Sequence, residues 1–264
     1  MKWFNQAVAQ TLPWVPKPVV RRVSARYIAG EDLAAAVQTV RDLNAAGLMA
    51  TLDVLGEFVT TEAEARRAAD EYVQALDAIE REGLDSNVSL KLTQMGLLLD
   101  LDLCFEITEG LVRHARSKGN FVRLDMEDSP CTENTLAIYR RLRERHPDHV
   151  GCVIQAYLKR SAADVDRLCA DGANVRLCKG IYVEPSKIAF KDPAAINRSY
   201  EDLLGRLLRN GVYTGIATHD ASLVAHADTL VRELGLTRDR YEFQMLLGVT
   251  EALRSQVLAM GHRM

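Results

Sequence analysis

The chain has 264 residues, 48% of them hydrophobic and 26% charged, which excludes extended disorder and low-complexity architecture. Lys plus Arg number 33 and Asp plus Glu 36, so the formal charge of −3 provides no electrostatic footprint for nucleic acid. Five scattered cysteines with no CxxC pair suggest neither a disulfide framework nor a thiolate zinc site, and read as reduced thiols of a cytoplasmic protein.

The first twenty residues, MKWFNQAVAQTLPWVPKPVV, do not make a signal peptide, because Asn5, Gln6, Gln10 and Pro13 interrupt any apolar core. Trp3, Phe4, Trp14, Val19 and Val20 admit two readings. One is a peripheral contact at the inner face of a membrane. The other, favoured because amphipathic surfaces usually face a core, is an arm packed on the domain. No apolar run approaches the roughly 18 residues needed to span a bilayer. A helix over 31–47 follows and ends at Gly47, so residues 1–46 are expected to form an arm and helix preceding one domain over 47–264.

From there the pattern alternates. Short runs rich in β-branched residues begin at Leu48, Asn87, Phe121, Val150, Asn174, Gly211 and Tyr241, giving seven candidate strands. Several are continuously apolar, as in parallel strands covered on both faces. Between them lie helix signals. Thr60 and Thr61 precede Glu62 and Glu64 and a helical run to Gly83. Cys131–Asn134 leads into a helix closed by Pro147, Ser161 opens another ending near Gly172, and Asp220 caps a run to Gly235. A last helix over 249–261 ends at Gly261. Steps of this length fit right-handed βαβ units. Without GxGxxG after the first strand, a doubly wound nucleotide fold is disfavoured against a (β/α)8 barrel. The predicted fold is an α/β, TIM-like barrel, with an eighth βα unit not found before Met264.

Barrel enzymes keep their chemistry at the C-terminal strand ends. At such ends stand Lys91 with Thr93, Asp125 with Glu127, Gln155 with Tyr157, Arg176 with Lys179, Thr218 with His219, and Glu242 with Gln244. Any one of these could be a salt-bridge partner or a helix cap. Six strands carrying polar residues at one end, within apolar segments where unpaired charge is costly, argue for a site. RHPDHV, with His146 and His149, completes no metal set and reads as a solvated turn; no metal site is expected. Cys178 reads as a small core residue.

SLKLTQMG around Lys91, RLDME around Asp125, VIQAYLKR around Gln155, NVRLCKGIY around Arg176, IATHD around Thr218 and YEFQMLLGV from Tyr241 resemble the proline dehydrogenase family in its bacterial monofunctional form. The resemblance runs in order over about residues 20–264. It implies a distorted (β/α)8 barrel that binds FAD non-covalently at the strand ends and oxidises proline by hydride transfer from C5 to N5. Gln155 would bond the flavin's polar edge beside Val153, with Asp125 and Met126 at the isoalloxazine. Lys179, Gly180 and Ile181 would follow the ribityl and phosphates, and Thr218 and His219 the pyrophosphate or adenosine end. Arg176 would stabilise the anionic reduced ring; Lys91 and Asp125 would lie beside bound proline, the Lys91 cation suiting its carboxylate, with the relay of the amine proton open between Asp125 and Lys91. The family also carries an eighth strand and a final helix with two arginines and a tyrosine for proline. Their lack before Met264 leads one to expect weak turnover, exposed parallel edges and association of copies. A quinone or other acceptor completes the implied partners. Two other readings are a barrel aldolase or lyase using Lys91 or Lys179 as a Schiff-base amine, and an inactive barrel fragment; methylenetetrahydrofolate reductase shares the flavin-barrel plan but not VIQAYLKR or YEFQ.

Overall fold

The computed structural model describes residues 28–30 and 32–264. The aromatic and apolar residues from Trp3 to Val20 lie outside the described residues. In chain order the elements are α1 (Leu33–Ala45), β1 (Ala50–Asp53), α2 (Glu62–Arg81), β2 (Ser86–Leu90), α3 (Leu101–Ser117), β3 (Val122–Leu124) and α4 (Ser129–Arg145). These are followed by β4 (Val150–Gln155), α5 (Ser161–Ala170), β5 (Asn174–Cys178), α6 (Pro193–Arg209), β6 (Tyr213–Ala217), α7 (Ala221–Glu233), β7 (Tyr241–Gln244) and α8 (Glu251–Ala259).

The seven described strands pair in sequence order and all in parallel, from β1 to β7. The curled sheet forms a half-barrel, in agreement with the TIM-like expectation. The final residues enter the slot between its edges. The Arg263 carbonyl accepts from the Phe243 amide at 2.9 Å, and the Met264 carbonyl accepts from the Met49 amide at 2.8 Å.

Period-two alternation decides which side chains go where. Val88, Leu90, Val122, Leu124, Cys152, Ile154, Val175, Leu177 and Ile216 point outward and are buried with the helices in one continuous core. Helix faces fit this layer: α2 buries Ala65, Ala68, Tyr72, Ala75, Leu76 and Ile79 at three- and four-residue spacing, and Thr61 with Glu64 closes a capping box. Many of the intervening strand positions face inward and are polar, among them Ser89, Gln155, Arg176, Glu242 and Gln244, unlike the apolar interior usual for this barrel.

Two helices carry signals that the sequence reading did not use. Asp100 caps α3 through the Leu103 amide, and Asp192, followed by Pro193, caps α6 through the Ala195 amide. α4 begins earlier than Cys131, at Ser129, because Pro130 fits a first turn. The strands are shorter than the apolar runs that announced them: β7 ends at Gln244, and the following Met245–Gly248 forms a loop. His146 corrects another expectation. It is buried, 3.5 Å from Glu109, rather than lying in a solvated turn.

Candidate active site

Inward residues of β1 to β7 line a cavity of ≈ 2080 Å³ that runs from the C-terminal loops to the N-terminal strand ends and α1. All the sequence-predicted site residues line it: Lys91, Asp125 and Met126, Val153 and Gln155, Arg176 with Lys179, Gly180 and Ile181, and Thr218 with His219. Three neighbours do not. Thr93, Glu127 and Tyr157 lie outside the lining. Glu127 is fully buried, accepting from the Thr93 amide at 3.0 Å and from the Thr93 hydroxyl, and burial raises its carboxyl above the ordinary range. Cys178, expected in the core, packs against it and also lines the cavity.

Arg176 is the hub. Its Nη1 donates to Asp125 Oδ1 at 2.9 Å and to Ser89 Oγ at 3.1 Å, while its Nε donates to Gln244 Oε1 at 2.6 Å. Ser89 Oγ donates to the same Asp125 oxygen at 2.6 Å. Four strands are thereby tied across the barrel at one depth, and contacts to two edges of the guanidinium fix its plane. Lys91, one rung above Ser89, donates to Asp53 Oδ2 at 2.8 Å, and Asp53 also accepts from the Tyr72 hydroxyl at 3.0 Å. Burial works against the Lys91 charge, yet the Asp53 hydrogen bond and the fields of Asp53, Asp125 and Glu57 outweigh it and raise its pKa. Lys91 is therefore held as an ammonium. A Schiff-base amine needs the opposite shift.

Lys179 has a different environment. Its Nζ donates at 2.6 Å to Asp220 Oδ2, the carboxylate that also caps α7 through the Ser222 amide. The Lys179 contact, aided by Ser222 and Asn197, holds Asp220 far below the usual carboxylate range. Lys179 and His219 thus form a second group, without a hydrogen bond to the Arg176 hub. Gly180, at φ +102°, passes so close to Tyr157 that a Cβ would lie 2.2 Å from its ring, so only glycine lets the backbone turn here. Ile181 is exposed beyond it, with Val183, Leu55 and Leu246 also exposed on the loops.

Burial pushes the His219 imidazole below its ordinary value near 6.5, and its Nε2 accepts from the Leu246 amide at 2.8 Å. A histidine with a depressed folded pKa contributes stability above about pH 6.5 and loses it as pH falls through the folded value. Lowering the pH from about 7.5 to a value below the depressed folded pKa should therefore release the Leu246 amide. Its hydrogen-exchange protection factor should drop, whereas His219→Phe should lack that protection at both values. Equal protection at the two pH values in the parent chain would contradict this.

Sequence reasoning missed Asp53 and Tyr72, which hold Lys91, and Tyr182, whose hydroxyl lies 3.4 Å from Glu57 Oε1 across the mouth. Alternation alone could have flagged Asp53, since it shares the inward phase of β1 with Thr51; Tyr72 gave no such signal.

The residues fit a flavin dinucleotide by the chemistry of their donors. A cation and an amide, Arg176 and Gln155, share one wall with the apolar Val153 and Met126, and a second cation, Lys179, stands beside a helix N-terminus. A family model described as proline dehydrogenase matches residues 36–264. Proline dehydrogenase 2 of Bacillus subtilis is 36% identical over 244 residues, which are 92% of this chain and 80% of that protein. The proline dehydrogenase of Deinococcus radiodurans is 36% identical over 242 residues, 90% of this chain and 78% of that one. Among solved structures, proline utilization A (PutA) of Bdellovibrio bacteriovorus, inactivated by N-propargylglycine, matches with a TM-score of 0.87 and 24% identity. That match covers 94% of this chain and 31% of the longer protein, and is a likeness of fold.

Proposed function

This chain belongs to the proline dehydrogenase family, and we infer that it oxidises L-proline to 1-pyrroline-5-carboxylate with FAD, hydride leaving C5 for N5. The observation that carries this reading is the convergence of Lys91, Asp125, Gln155 and Arg176 on one cavity. FAD would supply the two-electron acceptor that no side chain can provide.

The chain's own groups divide the remaining work. Arg176, oriented by Asp125 and Gln244, would hold positive charge near the flavin and favour its anionic reduced form. Gln155 donates its amide to the Glu127 carbonyl at 2.7 Å, which fixes the side chain; it would meet the flavin's polar edge, with Val153 and Met126 beside it. Lys179, Gly180 and Ile181 would follow the ribityl and phosphate portion, where phosphate oxygens share Lys179 with Asp220. Thr218 and His219 would meet the pyrophosphate or adenosine end. Lys91, kept protonated, suits the proline carboxylate and is not the group that receives the amine proton. Asp125 acts by holding Arg176 and Ser89 in place.

The electron acceptor is proposed to be a quinone, for which exposed Leu55, Ile181, Val183 and Leu246 offer an apolar surface around the mouth. No described helix is long and apolar enough to cross a membrane. A cytoplasmic protein touching the inner membrane face fits this acceptor.

The test is a visible spectrum of the purified chain followed by anaerobic proline. A flavin absorbance that bleaches on proline addition supports the reading. A chain that takes up no flavin when supplied with FAD, or a bound flavin indifferent to proline, overturns it.

A further inference from the structure

Beneath Arg176 a chain of hydrogen bonds runs toward the barrel floor. Gln244 accepts from Arg176 Nε through Oε1, and its Nε2 donates to Glu242. Glu242 lies 8% exposed, and its other oxygen accepts from the Tyr213 hydroxyl at 2.7 Å. Both Glu242 oxygens accept in this arrangement, one from Gln244 and one from Tyr213. An amide has an acceptor end and a donor end of nearly equal size, and nothing in its shape decides which one meets Arg176. Its two neighbours decide it together: the Arg176 Nε–H can only donate and so takes Oε1, and the Glu242 carboxylate accepts and so takes Nε2.

The strands are built to admit this amide. Arg176, Gly215 and Glu242 lie side by side in one rung of β5, β6 and β7. A Cβ at Gly215 would sit 3.0 Å from Gln244 Nε2 and 3.1 Å from its Cδ, so the amide occupies room that any other residue would take. The slot between the cation and the carboxylate is shaped for Gln244.

We propose that Glu242 is a positioning residue that holds the Gln244 amide acceptor-first toward Arg176, and thereby sets the orientation of the guanidinium that faces the flavin. The proposal rests on the assignment of Arg176 to the flavin, but the local arrangement can be read without it.

The test compares E242Q with the exchanged pair E242Q/Q244E. In E242Q the residue facing Gln244 no longer demands a donor, so the Arg176 Nε–H alone selects the acceptor end and the amide is held less firmly. The Arg176 Nε–H cross-peak of the flavin-free chain, identified by its loss in R176K, should broaden or shift. In FAD-loaded protein, flavin reduction by proline should slow by about ten- to a hundredfold and the flavin midpoint potential should move. In the exchanged pair the carboxylate at position 244 accepts both from Arg176 and from the new amide at position 242, whose oxygen accepts in turn from Tyr213. The cross-peak should return, and the rate should recover to within about threefold of the parent chain. G215A, which crowds the amide without altering any charge, should reproduce the cross-peak change if E242Q does not fold. An unchanged cross-peak in E242Q or G215A, or an exchanged pair no better than E242Q alone, overturns the proposal. Failure to bind FAD would remove the flavin assignment while the cross-peak comparison still decides the positioning claim.

Discussion

Replacing Arg176 with Met should lower kcat/KM for proline by about 10³-fold, the larger of the two effects expected from single substitutions at this site. Two losses combine. The first is structural: Asp125 keeps only Ser89 as a partner, and Gln244 Oε1 loses its donor, in a site where Arg176 and Asp125 are 16% and 20% exposed. Removing one member of a mostly buried, hydrogen-bonded charge pair typically costs about 3–5 kcal/mol, reduced here by the residual exposure. Urea unfolding should register part of that cost in the flavin-free chain. The second loss belongs to the reaction alone, because charge that develops on the flavin during reduction would meet no guanidinium. Arg176→Lys separates the two. It keeps a charge but cannot donate from Nε to Gln244 and from Nη1 to Asp125 together, so its rate should fall between those of the parent and R176M. An R176M variant within about fivefold of the parent in kcat/KM would show that this cation does not serve the reaction.

Lys91→Met should act chiefly on substrate binding. With no ammonium to meet the proline carboxylate, KM should rise by about 10²-fold or more while kcat changes less and FAD remains bound. The substitution also strips Asp53 of its charged partner, leaving the Tyr72 hydroxyl as its remaining donor. The pH dependence has a definite sign. The folded Lys91 pKa lies above its ordinary 10.5, so its contribution is fully present below about pH 10.4 and is lost only as pH rises through the folded value. Proline affinity should therefore show no decline attributable to Lys91 between about pH 7 and pH 10. A KM unchanged in K91M would remove Lys91 from the substrate site.

The barrel and the mouth of the site were legible because each is written in local alternation. Lys91, Asp125, Gln155 and Arg176 interrupt apolar strands at the inward phase, and the structure gathers them in one cavity. What the sequence did not reveal is how these residues are held. Arg176 reaches Ser89, Asp125 and Gln244 across separations of 87, 51 and 68 residues, and no period in the chain encodes which strand curls opposite which. Tyr72 belongs to the buried face of α2, where periodicity marks it only as core, yet its hydroxyl reaches Asp53. Thr93 and Glu127 were misjudged for a related reason. Past the last strand residue the alternation ends, and these two turn to bond one another instead of facing the cavity. α3 and α6 were overlooked although Asp100 and Asp192 cap them as aspartates commonly do. Their signals were present and simply lacked a neighbouring motif.

A crystal structure of the FAD-loaded chain is the most direct measurement. Density should place the isoalloxazine in the barrel mouth, with its polar edge within hydrogen-bond distance of Gln155 and Arg176 and Lys91 open to substrate beside it. An isoalloxazine seated away from those three side chains would contradict the account.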